Sequence, residues 1–254
     1  MLRLLGGSSF LALLILLIVP AAGSAQDGKW GAIKGQVVFG GDAVPAPAVV
    51  NVTTDKAHCL SKGPLLGEEY VIDKGSKGVK WVMIWLTDPA NPKAALPIHP
   101  TLKNPPKVVS FDQPCCAFEP HAMFVIEGQK VEAKNSATVP HNVNIQGGTL
   151  NPNLNQIIPA GKTLEVEGWK ATTTPVPISC TVHPWMNMKI RVVNHPYFAV
   201  TDDKGNYEIK NAPAGKWNLV TWHEGQGYGA GGKPGVPVEV VAEKTTDLGV
   251  SNVK

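Results

Sequence analysis

Short runs of hydrophobic or β-branched residues recur along the chain, and turn signals rich in Gly, Pro, Asp and Asn separate them. Beyond the N-terminal segment, no window carries hydrophobic residues at the 3.6-residue spacing of an amphipathic helix. Short strands at regular spacing predict an all-β protein built from sandwiches or barrels. The predicted strands lie at 32–39, 79–86, 123–126, 130–134, 141–145, 163–166, 188–193, 207–210, 217–222 and 236–241.

Composition narrows this picture. The 254 residues include 26 glycines and 22 prolines, which gather in turns and make a mostly helical protein a poor expectation. With 43% hydrophobic and 17% charged residues, the chain is also unlike a disordered one. A net charge of +3 without any basic block gives no reason to expect nucleic-acid binding.

Residues 1–25 have the pattern of a secretory signal peptide. Arg3 precedes the apolar run Phe10–Val19, and Gly23-Ser24-Ala25 fits a small-x-small cleavage site. The apolar run is shorter than the roughly 20 residues that span a bilayer, although a retained anchor stays an alternative. We therefore expect a periplasmic or secreted protein that meets the membrane only during export.

The most informative chemistry lies in Cys180-Thr181-Val182-His183-Pro184-Trp185-Met186. A thiolate, an imidazole and a thioether within seven residues can turn toward one point from a single loop, and His141 offers a second imidazole from upstream. Two His, one Cys and a weak axial Met are the ligand set of a blue-copper electron-transfer site. Met188 is a rival for the axial position, although it falls in a predicted strand.

These motifs resemble the cupredoxin family, and the ligand loop is most similar to the amicyanin type. The matching segments are Val125–Asn135, Pro140–Val143 and Cys180–Met186. The resemblance implies a Greek-key β-sandwich over 105–195 with one type 1 copper ion at one end. It also implies that Asn142 ties the two ligand segments together by hydrogen bonds. His183 would then be the more exposed ligand, near which a redox partner protein docks.

A second module is predicted around this one. Thr201–Ile209 and Pro213–Leu219 resemble the second half of carboxypeptidase-regulatory-like, transthyretin-like β-sandwiches. Gly31–Val37 and 79–86 could supply the first half. On this interpretation 26–104 and 196–254 form one Ig-like sandwich, and 105–195 is inserted between its parts. Three consecutive pieces remain the simpler alternative.

The other cysteines leave several possibilities open. A disulfide from Cys59 to Cys116 is favoured over one to Cys115, and a vicinal Cys115–Cys116 bridge is less expected. In an exported protein such pairing is the usual role of cysteine. The rival interpretation is a second metal site formed by these cysteines with His58 and His121.

The remaining signals are weak. His99, His195 and His223 each stand alone in the sequence and are expected to be surface or hydrogen-bonding residues. Gly227–Gly232 matches G-x-G-x-x-G, but a nucleotide-binding motif needs a helix after it, and Lys233-Pro234-Gly235 follows. We expect a hairpin loop there.

The sequence thus predicts an exported blue-copper protein that carries single electrons by Cu(II)/Cu(I) cycling and is not an enzyme. Four protein ligands at a buried copper leave no open position for a substrate, and no catalytic residues are expected. A copper delivery or storage protein is one alternative. The other is a β-sandwich adhesion or polysaccharide-associated binding protein with an accessory copper site.

Overall fold

The computed structural model describes residues 29–253, so the predicted signal peptide lies outside the described residues. Within this range strands dominate, which confirms the all-β prediction, and no helix is long and apolar enough to cross a membrane. One short α-helix, α1, spans Lys56–Cys59, and a 3-10 turn spans Pro100–Leu102. The strands are β1 (Trp30–Phe39), β2 (Met83–Thr87), β3 (Val108–Phe111), β4 (Ala122–Ile126), β5 (Lys130–Asn135), β6 (His141–Gln146), β7 (Asn153–Ile158), β8 (Lys162–Val166), β9 (Val176–Ser179), β10 (Asn187–Val193), β11 (Phe198–Val200), β12 (Asn206–Pro213), β13 (Gly215–His223), β14 (Gly227–Tyr228), β15 (Val236–Val240) and β16 (Thr245–Val253).

The first sandwich packs the sheet β3-β5-β8 against the sheet β4-β10-β9-β6-β7. Alternation along β5 turns Val131 and Ala133 inward, where they meet Phe111, Phe118 and Ile190 in one hydrophobic core. Burial of a Val, Ile or Phe side chain contributes roughly 1.5–3 kcal/mol. The strands that carry the candidate ligands are therefore held by a rigid core.

The second sandwich is formed by the sheet β12-β1-β16 and the sheet β11-β2-β13-β14, with β15 paired to β13. Strands β1 and β2 precede the first sandwich in the chain, whereas β11 to β16 follow it. Strand β1 pairs with both β12 and β16, so segments from the two ends of the described chain share one sheet. The exact boundaries of the modules, predicted at 26–104, 105–195 and 196–254, stay a prediction.

A third hydrophobic cluster joins the two sandwiches. Met83 and Trp85 of β2 pack against Phe124 of β4 and Val193 of β10, and the rings of Phe124 and Phe198 stack at 4.3 Å. Large aromatic side chains bury much apolar surface and prefer such offset or edge contacts. This shared core makes the junction between the sandwiches a packed interior.

The segment 40–82, between β1 and β2, extends from the second sandwich onto the first. It carries α1, and a disulfide fixes it by joining Cys59 to Cys116. This is the favoured pairing, and it leaves Cys115 and Cys180 as the free cysteines. The hairpin loop predicted at Gly227–Gly232 is confirmed in part: Gly227 and Tyr228 form β14, which pairs antiparallel with β13, and the residues after them form the turns that lead to β15. No helix follows up to residue 253.

Candidate metal centre

Strand pairing brings the two candidate ligand segments together. Strands β6 and β9 are antiparallel, with Asn144 opposite Ser179. His141, at the start of β6, therefore lies beside the loop 180–186 that leaves the end of β9. Both ligand segments sit at one end of the first sandwich.

Backbone hydrogen bonds close this loop into a compact turn. The N–H of Cys180 donates to the carbonyl of Met186 at 3.1 Å, and the N–H of Met186 donates to the carbonyl of His183 at 2.9 Å. Two further N–H groups, of Asn142 and His183, point at the Cys180 sulfur from 3.5 and 3.4 Å. Hydrogen bonds of this kind stabilise the thiolate, which is the form that binds metals.

Three donor atoms converge at this point. One nitrogen of His141, the sulfur of Cys180 and one nitrogen of His183 all lie within 4.8 Å of one another. The Cys180 sulfur lies 3.8 Å from His183 Nδ1, and the two imidazole rings are 4.6 Å apart. All three side chains are buried, with at most 1% of their surface exposed.

Met186 and Met188 are both buried, and both belong to the hydrophobic cluster that includes Cys180. Met186 ends the ligand loop, whereas Met188 lies in β10 opposite Ile178 of β9. The position of Met186 suits the axial role, and its assignment as the fourth ligand stays a prediction.

His141 provides the observation that tests whether a metal fits. Neither of its ring nitrogens has a hydrogen-bond partner among residues 29–253. Burial, and to a lesser extent the neighbouring His183, lowers its pKa to about 4, so the ring is neutral at pH 7. A buried polar group without a partner costs about 1–3 kcal/mol. A metal ion would satisfy this group, and the donor set of two imidazoles and a thiolate suits copper. The cluster of His141, Cys180, His183 and Met186 resembles a type 1 copper site.

The expectation that His183 is an exposed ligand is wrong. Its side chain is fully buried, because Asp55 of the segment 40–82 lies over it and Trp185 packs beside it at 5.3 Å. The Asp55 carboxylate is 2.9 Å from His183 Nε2. This contact orients the ring so that Nδ1 faces Cys180. Nothing in the loop sequence indicates this, since Asp55 lies in the distant segment 40–82, which packs onto the first sandwich.

The disulfide lies directly against the centre. The sulfur of Cys116 is within 4.8 Å of ring nitrogens of His58 and His141. The sulfurs of Cys59 and Cys116 are also within 4.8 Å of a ring nitrogen of His183. In a disulfide these sulfurs are not thiolate donors. Cys115 is free, but among residues 29–253 no cysteine lies close to both His58 and His121, so the alternative site is not assembled.

Asn142 ties the two ligand segments together, as the resemblance implied. Its side-chain oxygen accepts hydrogen bonds from the N–H groups of Thr181 and Val182, and its side-chain nitrogen donates to Asn155. The start of the ligand loop is thereby fixed to the strand that carries His141. Such supporting contacts set the orientation of the ligands.

The isolated histidines are hydrogen-bonding residues, as expected. His99 Nδ1 contacts the Thr101 hydroxyl at 2.8 Å, and His195 Nδ1 accepts from the N–H of Tyr197 at 3.1 Å. His223 Nδ1 accepts from the N–H of Gly225 at 3.3 Å. None of the three joins the metal centre.

Sequence reasoning missed a charged cluster at the junction of the sandwiches. His121, 2% exposed, binds Glu224 through Nε2 and lies 3.5 Å from Glu68 through Nδ1. Lys189 binds the other oxygen of Glu224 at 2.9 Å. Burial alone would lower the pKa of His121, but the two carboxylates outweigh it and raise the pKa to about 9. The partners come from three distant parts of the chain, so no local motif marks them.

Three solved structures show how far the likeness to known proteins extends. A purple cupredoxin from Nitrosopumilus maritimus matches 33% of this chain and 97% of its own, at 18% identity and a TM-score of 0.29. A reduced amicyanin variant matches 35% of this chain and 86% of its own, at 23% identity and a TM-score of 0.31. A copper-containing nitrite reductase from Thermus scotoductus matches 40% of this chain and 23% of its own, at 16% identity and a TM-score of 0.30.

No family model and no curated protein matches the chain. The likeness to cupredoxins covers about a third of it. What favours copper is the set of converging side chains, above all the nitrogens of His141, which have no partner among the described residues.

Proposed function

We propose that this protein is an exported type 1 copper protein that carries single electrons between redox partners and has no catalytic activity of its own. The observation that carries the proposal is the buried convergence of His141, Cys180 and His183, with both His141 nitrogens free of partners among the described residues. Copper bound here would supply a one-electron Cu(II)/Cu(I) couple.

The protein's own residues supply a rigid frame for that couple. Asn142 and the loop hydrogen bonds hold the ligand segments in place, and Pro184 restricts the backbone between two of them. The surrounding core excludes water from the donors. A site that keeps its shape lowers the reorganisation needed when the charge changes by one unit.

We infer a docking site for a redox partner from the residues that cover His183. Asp55, which keeps about a third of its side chain exposed, and Trp185, which is half-buried, lie between His183 and solvent. We place the contact with a partner protein at this surface. The exposed residues Thr54 and Lys56 flank Asp55 there.

Copper loading of the full chain tests the proposal. An intense thiolate-to-copper band in the visible spectrum is expected with one equivalent of Cu(II). The substitution Cys180→Ser should abolish the band, whereas Cys115→Ser, at the other free cysteine, should leave it unchanged. A colourless Cu(II) complex would exclude a type 1 centre.

Two further measurements separate the alternatives. A delivery or storage protein would release copper readily and exchange no electrons with a donor protein. An adhesion or polysaccharide-binding protein would keep its binding when His141 and Cys180 are replaced. Rapid electron exchange that is lost in Cys180→Ser favours the electron carrier over both.

A further inference from the structure

A cavity of about 220 Å³ lies at the junction of the two sandwiches, away from the copper ligands. It is lined by Trp85 and Thr87 of β2, Arg191 of β10, and by Glu127, Thr172 and His195. A water molecule occupies about 30 Å³ of liquid. The cavity therefore has room for an ion of four or five non-hydrogen atoms together with some water.

Arg191 is a buried cation without a counter-ion in this cavity. It is 6% exposed, and within residues 29–253 it forms no ion pair. Its Nη1 donates to the Thr172 hydroxyl at 3.3 Å and to the Val192 carbonyl at 2.8 Å, and its guanidinium lies over the Trp85 ring at 4.7 Å. All of these partners are neutral, and Nε has none among the described residues.

The guanidinium nevertheless keeps its charge. Burial lowers the pKa of Arg191 to about 10, which is still well above neutral pH. Buried charges in proteins are normally paired or hydrogen-bonded throughout, because removing an ion from water is expensive. Residues 29–253 provide no anion that pairs with this charge.

The nearest acidic side chain of the cavity wall does not fill this role. The carboxylate of Glu127 accepts hydrogen bonds from Lys170 at 3.2 Å and from the N–H of Ala171 at 3.1 Å. In contrast, Thr87 has a hydroxyl without a hydrogen-bond partner in the described chain, although the residue is only 5% exposed. Thr87 and Arg191, from different sandwiches, thus line the same cavity, and each carries one unsatisfied polar atom.

We propose that this cavity binds a small oxyanion, whose oxygens accept hydrogen bonds from Arg191 and Thr87. The planar fork of a guanidinium matches the geometry of carboxylate and phosphate oxygens. Because Thr87 belongs to the second sandwich and Arg191 to the first, the bound anion links the two. The site is independent of the copper centre and of the proposed electron transfer.

Anion-dependent stability of the full chain tests this assignment. Melting temperature is measured against inorganic phosphate and against acetate, at constant ionic strength with chloride as the reference anion, and affinity is measured by calorimetry. A saturable rise in melting temperature is expected because a ligand stabilises the state that it binds. A rise with phosphate alone identifies an inorganic oxyanion, and a rise with acetate alone identifies a carboxylate.

Three substitutions locate the effect. Arg191→Met removes the charge while filling the space, and affinity for the stabilising anion should fall at least about tenfold. Thr87→Val, which keeps the volume, should weaken binding less. Lys210→Met changes the net charge equally at an exposed position and should bind like the unaltered chain. The proposal is overturned if neither anion gives a saturable rise, or if both Arg191→Met and Thr87→Val bind unchanged.

Discussion

Two buried histidines in this protein have nearly the same exposure and opposite chemistry. His141 in the metal centre is fully buried and His121 at the junction is 2% exposed. Both nitrogens of His141 lack a partner in the described chain, and its pKa falls to about 4. His121 lies between Glu224 and Glu68, and its pKa rises to about 9. Burial therefore does not decide what a histidine does; its partners do.

The same segment of chain serves both histidine sites. Residues 40–82 place Asp55 on His183 at the metal centre and Glu68 beside His121 at the junction. The disulfide between Cys59 and Cys116 fixes this segment between the two contacts. A connecting segment between β1 and β2 thus covers the candidate metal centre and also supplies a carboxylate to His121.

The largest expected effect is a difference in copper affinity between two single variants, in which either His141 or His121 is replaced by Gln. His141→Gln removes a proposed ligand, and copper affinity should fall by at least about a hundredfold, since the loss of a residue that only supports a ligand already costs 10–100-fold. His121→Gln should leave the copper stoichiometry at one ion per chain. Competition with a chelator of known affinity measures the copper affinity of each variant. Equal losses in the two variants would mean that His141 is not a ligand.

The second prediction concerns pH and the junction. The pKa of His121 in the folded protein, about 9, lies above its ordinary value of 6.5. Its stabilising contribution is therefore complete below about pH 6.5 and is lost as the pH rises through about 9. A shift of this size corresponds to about 3 kcal/mol. The lowered pKa of Glu224, about 2, expresses the same interaction and is not added to it.

Urea unfolding of the copper-free protein between pH 6 and pH 10 measures this loss. The unaltered chain should lose stability over this range relative to His121→Gln, whose neutral side chain has no proton to give up. Parallel pH profiles for the two proteins would show that His121 is not the charged partner of Glu224. His121 would then not differ from His141 in its charge.

The contrast also explains what could be predicted from sequence. The loop 180–186 and His141 carry local signals, because ligand types and spacing in one loop are visible in the chain itself. Asp55, Glu68 and Glu224 carry none, because they act on histidines that are distant in sequence. A carboxylate becomes a histidine partner only after the strands have paired.

The strands show the same division. The run 130–134 alternates clearly and 217–222 is rich in apolar residues, and these two predicted strands lie within β5 and β13. Six strands were missed. Strands β7 and β16 have weak patterns, with most residues exposed on edges of their sheets, whereas β3, β9, β11 and β14 are only two to four residues long. Periodicity reports burial on one face, so it fails where neither face is fully covered.

A third, intermediate effect is expected at Asp55. Asp55→Asn removes a negative charge 2.9 Å from His183 Nε2 and so makes His183 a weaker donor to Cu(II). The reduction potential should rise, and Cu(II) affinity should fall about tenfold. Asp42→Asn, at an exposed loop position, serves as the control. The potential is measured by titration with redox mediators. An unchanged potential in Asp55→Asn would mean that Asp55 covers the site without affecting the copper.

The smallest expected effect separates the two methionines. Met186→Leu keeps the volume but removes the thioether, so the visible spectrum should change in band position or intensity and the potential should rise, while copper still binds. Met188→Leu makes the same change two residues away, in β10, and should leave the spectrum unaltered. The reverse result would move the axial position to Met188 and place a ligand inside the strand. No change in either variant would leave a centre held by His141, Cys180 and His183 alone, in which the buried thioethers serve only as packing.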